Sequence, residues 1–171
     1  NVRGPGNIRS LPDGRQAGIV VESAGENPLE TDVLELVRDH FREVGLALYI
    51  RTSQRDVFRS RALAGQVQMS VWSGLDNGVP TADMSPQGIA PSTGDQLQWP
   101  LWGSWHAAAG TTGEAPKMPE VLELLRLLQL WGDSEEQSQR AEIWAKMLTI
   151  WADQVFSIGT VNGALQPVVR S

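Results

Sequence analysis

Trp72, Asp76 and Asn77 fall within one seven-residue run, W-S-G-L-D-N-G at 72–78, and their chemistry is that of binding rather than bond-breaking. An indole offers a flat apolar face, a carboxylate accepts hydrogen bonds from an ammonium or hydroxyl, and a carboxamide adds a supporting bond. That combination suits an organic solute bearing an amine, and a hydrogen bond to a charged group contributes about 1.5–3 kcal/mol. Gly74 and Gly78 flank the acid and let the chain turn sharply. The competing reading is a capped, turn-forming Asp beside a tryptophan covered by neighbouring loop. A second aromatic group, Trp99, Trp102 and Trp105, is spaced i, i+3, i+6. One helical stretch would set these indoles on about the same side, either packing a long loop onto the domain or walling a ligand site.

Other constellations are weaker. Asp76, Asp83 and Glu114 contain the two acids that a glycan-processing enzyme would need. Arg55 and Arg59 lie one turn apart on a predicted helix, with Arg51 and Arg61 nearby; they form a solvated face or a basic patch for an acidic protein partner, as in a regulatory domain. The chain has no G-x-S-x-G, no phosphate-binding G-x-x-x-x-G-K-[ST] and no G-x-G-x-x-G after a strand. His40 and His106 sit far apart, and Asp76-Asn77-Gly78 lacks the alternating acids of a calcium loop. No catalytic residue, metal site or cofactor is implied.

Bulk properties agree. The 171 residues carry a net charge of −6, which argues against nucleic acid as a partner. Hydrophobic residues make up 41% and cysteine is absent, so disulfides and thiolate chemistry are excluded. The most apolar stretch, 121–131, contains Glu123 and Arg126 and is too short to span a bilayer, so no membrane insertion is expected. Residues 1–15 have no apolar segment of the secretory type and contain a turn at Leu11-Pro12-Asp13-Gly14.

The elements that must position these residues alternate. Residues 17–22 are an apolar strand. Asn27-Pro28-Leu29-Glu30 opens a helix that Gly45 ends, and residues 46–50 form a second strand. Ser53-Gln54-Arg55-Asp56 caps a shorter helix, with Val57, Phe58, Ala62 and Leu63 inward and Gly65 as its stop. Val67, Met69 and Val71 alternate with polar neighbours, so Trp72 points with Gln68 and Ser70. This β-α-β-α-β order predicts an α/β fold with a parallel sheet and right-handed crossovers. Trp72 would then lie at the carboxyl end of a strand, where open α/β sheets bind ligands.

Residues 74–116 form a long Gly/Pro/Ser-rich and Trp-rich loop region. Pro119 to Gly132 and a second helix capped by Ser134 then predict an αα-hairpin covering one sheet face, with Trp131, Trp144 and Trp151 in the core. Residues 155–161 and 167–169 read as C-terminal strands.

The runs V-R-D-H-F-R-E-V-G-L at 37–46, Phe58, A-G-Q-V-Q-M at 64–69 and Val71-Trp72 resemble the C-terminal lobe of family 5 extracellular solute-binding proteins. These are the peptide-, nickel- and oligosaccharide-type receptors of bacterial ABC importers. The resemblance extends through the hairpin to residues 154–159 and implies one lobe of a periplasmic-binding-protein-like (type II) fold. It also implies a periplasmic or surface-anchored protein, made with a signal peptide, that hands a peptide-like or other small organic solute to ABC permease subunits. Residues 1–171 would be a single lobe excised from a larger two-lobed protein, with 1–16 and 162–171 near the hinge. In peptide-binding members the short Gly/Asp loop after the Trp supplies the acid that holds the ligand's α-amino group. W-S-G-L-D-N-G matches that loop except for Leu75, a one-residue insertion, and marks Asp76 as the ammonium partner. Trp72, Asp76, Asn77, Trp99, Trp102 and Trp105 are the expected ligand-binding residues.

Overall fold

A computed structural model of the chain describes residues 5–72 and 81–160. The chain divides into two compact units, Asn1–Trp72 with Thr93–Glu114, and Ser73–Ser92 with Ala115–Ser171.

In the first unit, β1 (Gly18–Ser23), α1 (Pro28–Glu43), β2 (Ala47–Thr52), α2 (Arg55–Leu63) and β3 (Met69–Ser70) follow the predicted alternation. The strands form a parallel sheet in the order β2-β1-β3, with Val21 opposite both Ile50 and Met69. Because β1 is central, the two crossovers run in opposite directions across the sheet, and right-handedness puts α1 and α2 on opposite faces. One face carries Val21 and Leu48, which pack with Leu34 of α1 and recruit Ile19, Val37, Phe41, Ile50, Met69 and Val71. The other face receives Phe58 and Ala62 of α2, both fully or almost fully buried.

Local sequence explains the helix ends. The Asn27 side chain accepts from Leu29 N–H at 3.1 Å, and Pro28 fills the first helical position. α1 and α2 both stop in paired backbone bonds closed by a glycine. In the first, Gly45 (φ 84°) sends Leu46 N–H back to Phe41 and its own N–H to Arg42. In the second, Gly65 (φ 69°) does the same toward Arg61 and Ala62. Ser53 does not cap α2, however. Gln54 is the N-cap residue and contributes no side-chain bond, while the Ser53 hydroxyl is buried without a partner among the described residues.

Within the predicted long loop the structure places a helix, α3 (Pro100–Ala107), in the first unit. Gly103 lies inside it because the Thr93 backbone presses against that position; a β-carbon there would collide with Thr93 C=O.

The second unit is an αα-hairpin, α4 (Pro119–Asp133) and α5 (Gln137–Asp153), packed with a 3₁₀ turn at Pro86–Ile89. Its buried residues include Val121, Leu124, Leu127, Ile143, Trp144 and Met147, along with Ile89 and Ala90 from the turn segment. Trp144 is core, and its N–H reaches Met84 C=O at 2.8 Å. Trp131 and Trp151, expected in the core, are only half-buried. Their polar tips explain why: Trp131 N–H anchors Ala82 C=O at 3.2 Å and Trp151 N–H donates to Ser157 Oγ at 2.8 Å.

Ser134 does not cap α5. Its hydroxyl donates to Leu130 C=O at 2.7 Å and so terminates α4, leaving Glu136 at the N-cap of α5. The strand expected over 155–161 is not formed in residues 155–160. There the chain turns back after α5: Val155 adopts φ 52°, Phe156 N–H bonds Trp151 C=O, and the Phe156 ring meets the Trp151 indole edge-on at 5.7 Å. Residues 167–169, the second expected strand, lie outside the described residues.

Candidate functional site

The site is built at the carboxyl end of the sheet. β3 is short, and the side chain of Gln68 supplements its ladder by accepting from Val20 N–H at 3.0 Å. One residue beyond β3, Val71 N–H still donates to Glu22 C=O at 3.1 Å, so Trp72 emerges just past the end of β1. The predicted parity holds. Met69 and Val71 pack on the α1 side, and Trp72 turns toward α2.

Trp72 is 49% exposed. Its ring lies 6.5 Å from that of Phe58 at a 33° tilt, and the Arg59 guanidinium sits 5.4 Å from its centroid. Phe58 has no exposure at all, so it is a fixed support. A large indole is thereby held on packed protein while much of its surface stays in water, which sets it apart from a core residue.

Beside it lies a charged group that sequence reasoning missed. Glu22, 3% exposed, ends β1 on the α2 face and accepts two hydrogen bonds from Arg61, at 2.9 and 3.0 Å, with Arg51 at 3.5 Å. The paired Arg61 donors hold its carboxyl below the usual range, against the opposing effect of burial, and the charges of Arg61 and Arg51 add to the depression. Its only sequence signal was an acid closing an otherwise apolar strand. Ser23, fully buried at the same strand end, has a hydroxyl with no partner among the described residues.

The four arginines expected to form a solvated face thus have distinct tasks. Arg51 and Arg61 serve Glu22, Arg55 pairs with Glu26 at 2.8 Å, and the Arg59 guanidinium sits over the Trp72 ring.

Asp76 and Asn77 lie outside the described residues. Trp99 is buried, 6% exposed, with its N–H on Gln96 Oε1 at 3.1 Å; it precedes α3 as its N-cap residue. Trp102 and Trp105 follow on α3 and are half-buried. Asp83 is exposed and accepts from Gln137 at 3.2 Å, and Glu114 is exposed with its N–H on Leu101 C=O. His40 and His106 are exposed. A separate groove of about 790 Å³ follows β2 and α1, lined in part by Glu35, Arg38, Arg42 and Tyr49. Its arginines are engaged by Glu35 and Asp39, and it shares no residue with the surroundings of Trp72. No described helix is long and apolar enough to cross a membrane.

No protein-family model and no curated protein matches the chain. Solved structures do. An oligopeptide-binding protein, OppA, superposes with a TM-score of 0.69 at 22% identity, over 87% of this chain and 25% of its own. The periplasmic binding protein MelB from Agrobacterium fabrum C58, in complex with stachyose, gives 0.69 at 16% identity, over 94% of this chain and 23% of its own. NikA from Brucella suis, in complex with Fe(III)-EDTA, gives 0.62 at 16% identity, over 91% and 28%. The chain spans about a quarter of the length of these structures. The first two are binding proteins by their descriptions, and at these identities the likeness of all three is one of fold. The chain thus has an α/β fold that superposes on part of the periplasmic-binding-type structures, the fold that its resemblance to the solute-binding receptors implies.

Proposed function

We propose that the chain is the C-terminal lobe of the substrate-binding component of an ABC-type importer. It captures a peptide-like or other small organic solute between two lobes and delivers it to permease subunits in the membrane, without covalent chemistry. The protein works in the periplasm or anchored at the cell surface, after removal of a signal peptide. The observation that carries this reading is the position of Trp72, exposed on a rigid support at the carboxyl end of a parallel strand, where open α/β sheets take their ligands. The solved structures of the same fold support it, since their descriptions name an oligopeptide-binding protein and complexes with stachyose and Fe(III)-EDTA.

In this reading Trp72 stacks on the solute. Asp76, four residues further along the chain, holds an ammonium or hydroxyl, and Asn77 adds a hydrogen bond. Trp102 and Trp105 remain candidates for the ligand wall. Trp99, buried and hydrogen-bonded, could reach a ligand only through local rearrangement.

The test is calorimetry on the full-length parent protein against panels of peptides and oligosaccharides. Trp72→Ala and Asp76→Ala should each weaken binding of the captured solute by about tenfold or more, the worth of one stacked ring or one charged hydrogen bond. Unchanged affinities across every bound solute would remove both residues from the site.

A further inference from the structure

We propose that Arg59 and Trp72 form a subsite for a carboxylate: the indole takes the apolar or planar part of the solute and the guanidinium takes the acid beside it. The proposal rests on the reading of Trp72 as the stacking surface and adds the chemical class of what stacks there. Arg51 lies on β2 and Arg55, Arg59 and Arg61 lie on α2, and the acids that pair with them are distributed unevenly. Glu22 is buried and already shared by Arg61 and Arg51, and Glu26 is taken by Arg55. Arg59 has no ion pair among the described residues. It is half-buried and held over the Trp72 ring at 5.4 Å.

A guanidinium over an indole keeps N–H donors that the ring does not occupy. Its five N–H donors lie in the plane and point outward from the edge, in the fork geometry that matches a carboxylate. Partial burial strips some of the water that would otherwise compete for those donors, so an incoming oxyanion gains more there than at an open surface. Phe58, wholly buried, supports the indole over which the Arg59 guanidinium sits. The pair therefore presents an aromatic plane with a cation at its margin, on a chain whose overall charge of −6 would otherwise repel acids. A free peptide C-terminus and an acidic sugar share this chemistry.

The experiment uses the full-length protein and the indole N–H signal of Trp72, identified by its loss in Trp72→Phe. Three matched pairs serve as probes: glycyl-phenylalanine and its amide, 3-phenylpropionate and 3-phenylpropanol, and galacturonate and galactose. In at least one pair the acid should move the signal and bind about tenfold or more tightly than its neutral counterpart. Arg59→Gln should bring that ratio close to one, and Arg59→Lys, which keeps the charge but not the fork, should retain part of it. The responding pair distinguishes a peptide from a sugar acid. Equal affinities within every pair that moves the signal, or a preference that survives Arg59→Gln, would overturn the carboxylate subsite and leave Trp72 stacking intact. Failure of all six probes to move the signal would overturn the stacking reading and this proposal with it.

Discussion

Burying Glu22 at the end of β1 is tolerable only because two guanidiniums converge on it, and Arg61 supplies the better geometry. Arg61→Met should cost about 2–3 kcal/mol, since a buried carboxylate loses its bidentate partner and keeps only the longer contact to Arg51. The double variant Glu22→Leu/Arg61→Met should recover most of that loss, and urea melts of the single and double variants measure the coupling. The same pair sets a pH dependence. Glu22 has its carboxyl lowered from an ordinary value of 4.5 by Arg61. The stabilisation it provides is therefore present above that value and is lost as the pH falls through the lower folded-state value. Melts taken from about neutral pH down to about pH 3 should show stability falling on the acid side, with a shallower fall in Glu22→Gln. An equally steep fall in Glu22→Gln would assign the acid response to other carboxylates.

The elements were legible where a side chain or a glycine has one local task. Asn27, Gly45 and Gly65 act within a turn of their own position, so spacing alone located the ends of α1 and α2. Legibility failed where a distant backbone decides. Ser53 and Ser134 both look like caps, but the hydroxyl of one is buried and that of the other is drawn back to Leu130. α3 was hidden by the Gly and Ser inside it, yet Gly103 belongs there because Thr93 lies against it. Gly103→Ala should therefore destabilise by about 1–3 kcal/mol despite the better helix propensity of alanine, an overpacking cost that thermal melts would detect. Val155 is the converse case. It closes α5 at φ 52°, a conformation that penalises a β-branched residue. Val155→Gly should stabilise by about 0.5–1 kcal/mol, the relief of strain exceeding the extra freedom of glycine in the unfolded chain. A lower melting midpoint in that variant would mean that the exposed Val155 side chain contributes more than its backbone costs.

At the scale of the molecule, strand alternation and parity were enough to place Trp72 at the carboxyl end of the sheet, whereas the ion pair of Glu22 with Arg61 was not legible, because the two residues meet across 39 residues of sequence. A residue's exposure at such an end matters only if something else completes the enclosure. Solute sites usually cover most of the ligand's surface, and closure strengthens polar contacts by expelling water. The chain spans about a quarter of the length of the structures that share its fold, and in the proposed reading a second lobe supplies the opposite wall. The isolated 171-residue chain should consequently bind the captured solute at least about 100-fold more weakly than the full-length parent, a loss of roughly 2.7 kcal/mol or more. Calorimetry with the same solute on both proteins measures the difference, and a cooperative melt of the isolated chain establishes that it is folded. Comparable affinities would mean that Trp72 and its neighbours enclose the solute unaided, and capture by closure of two lobes would then have to be abandoned.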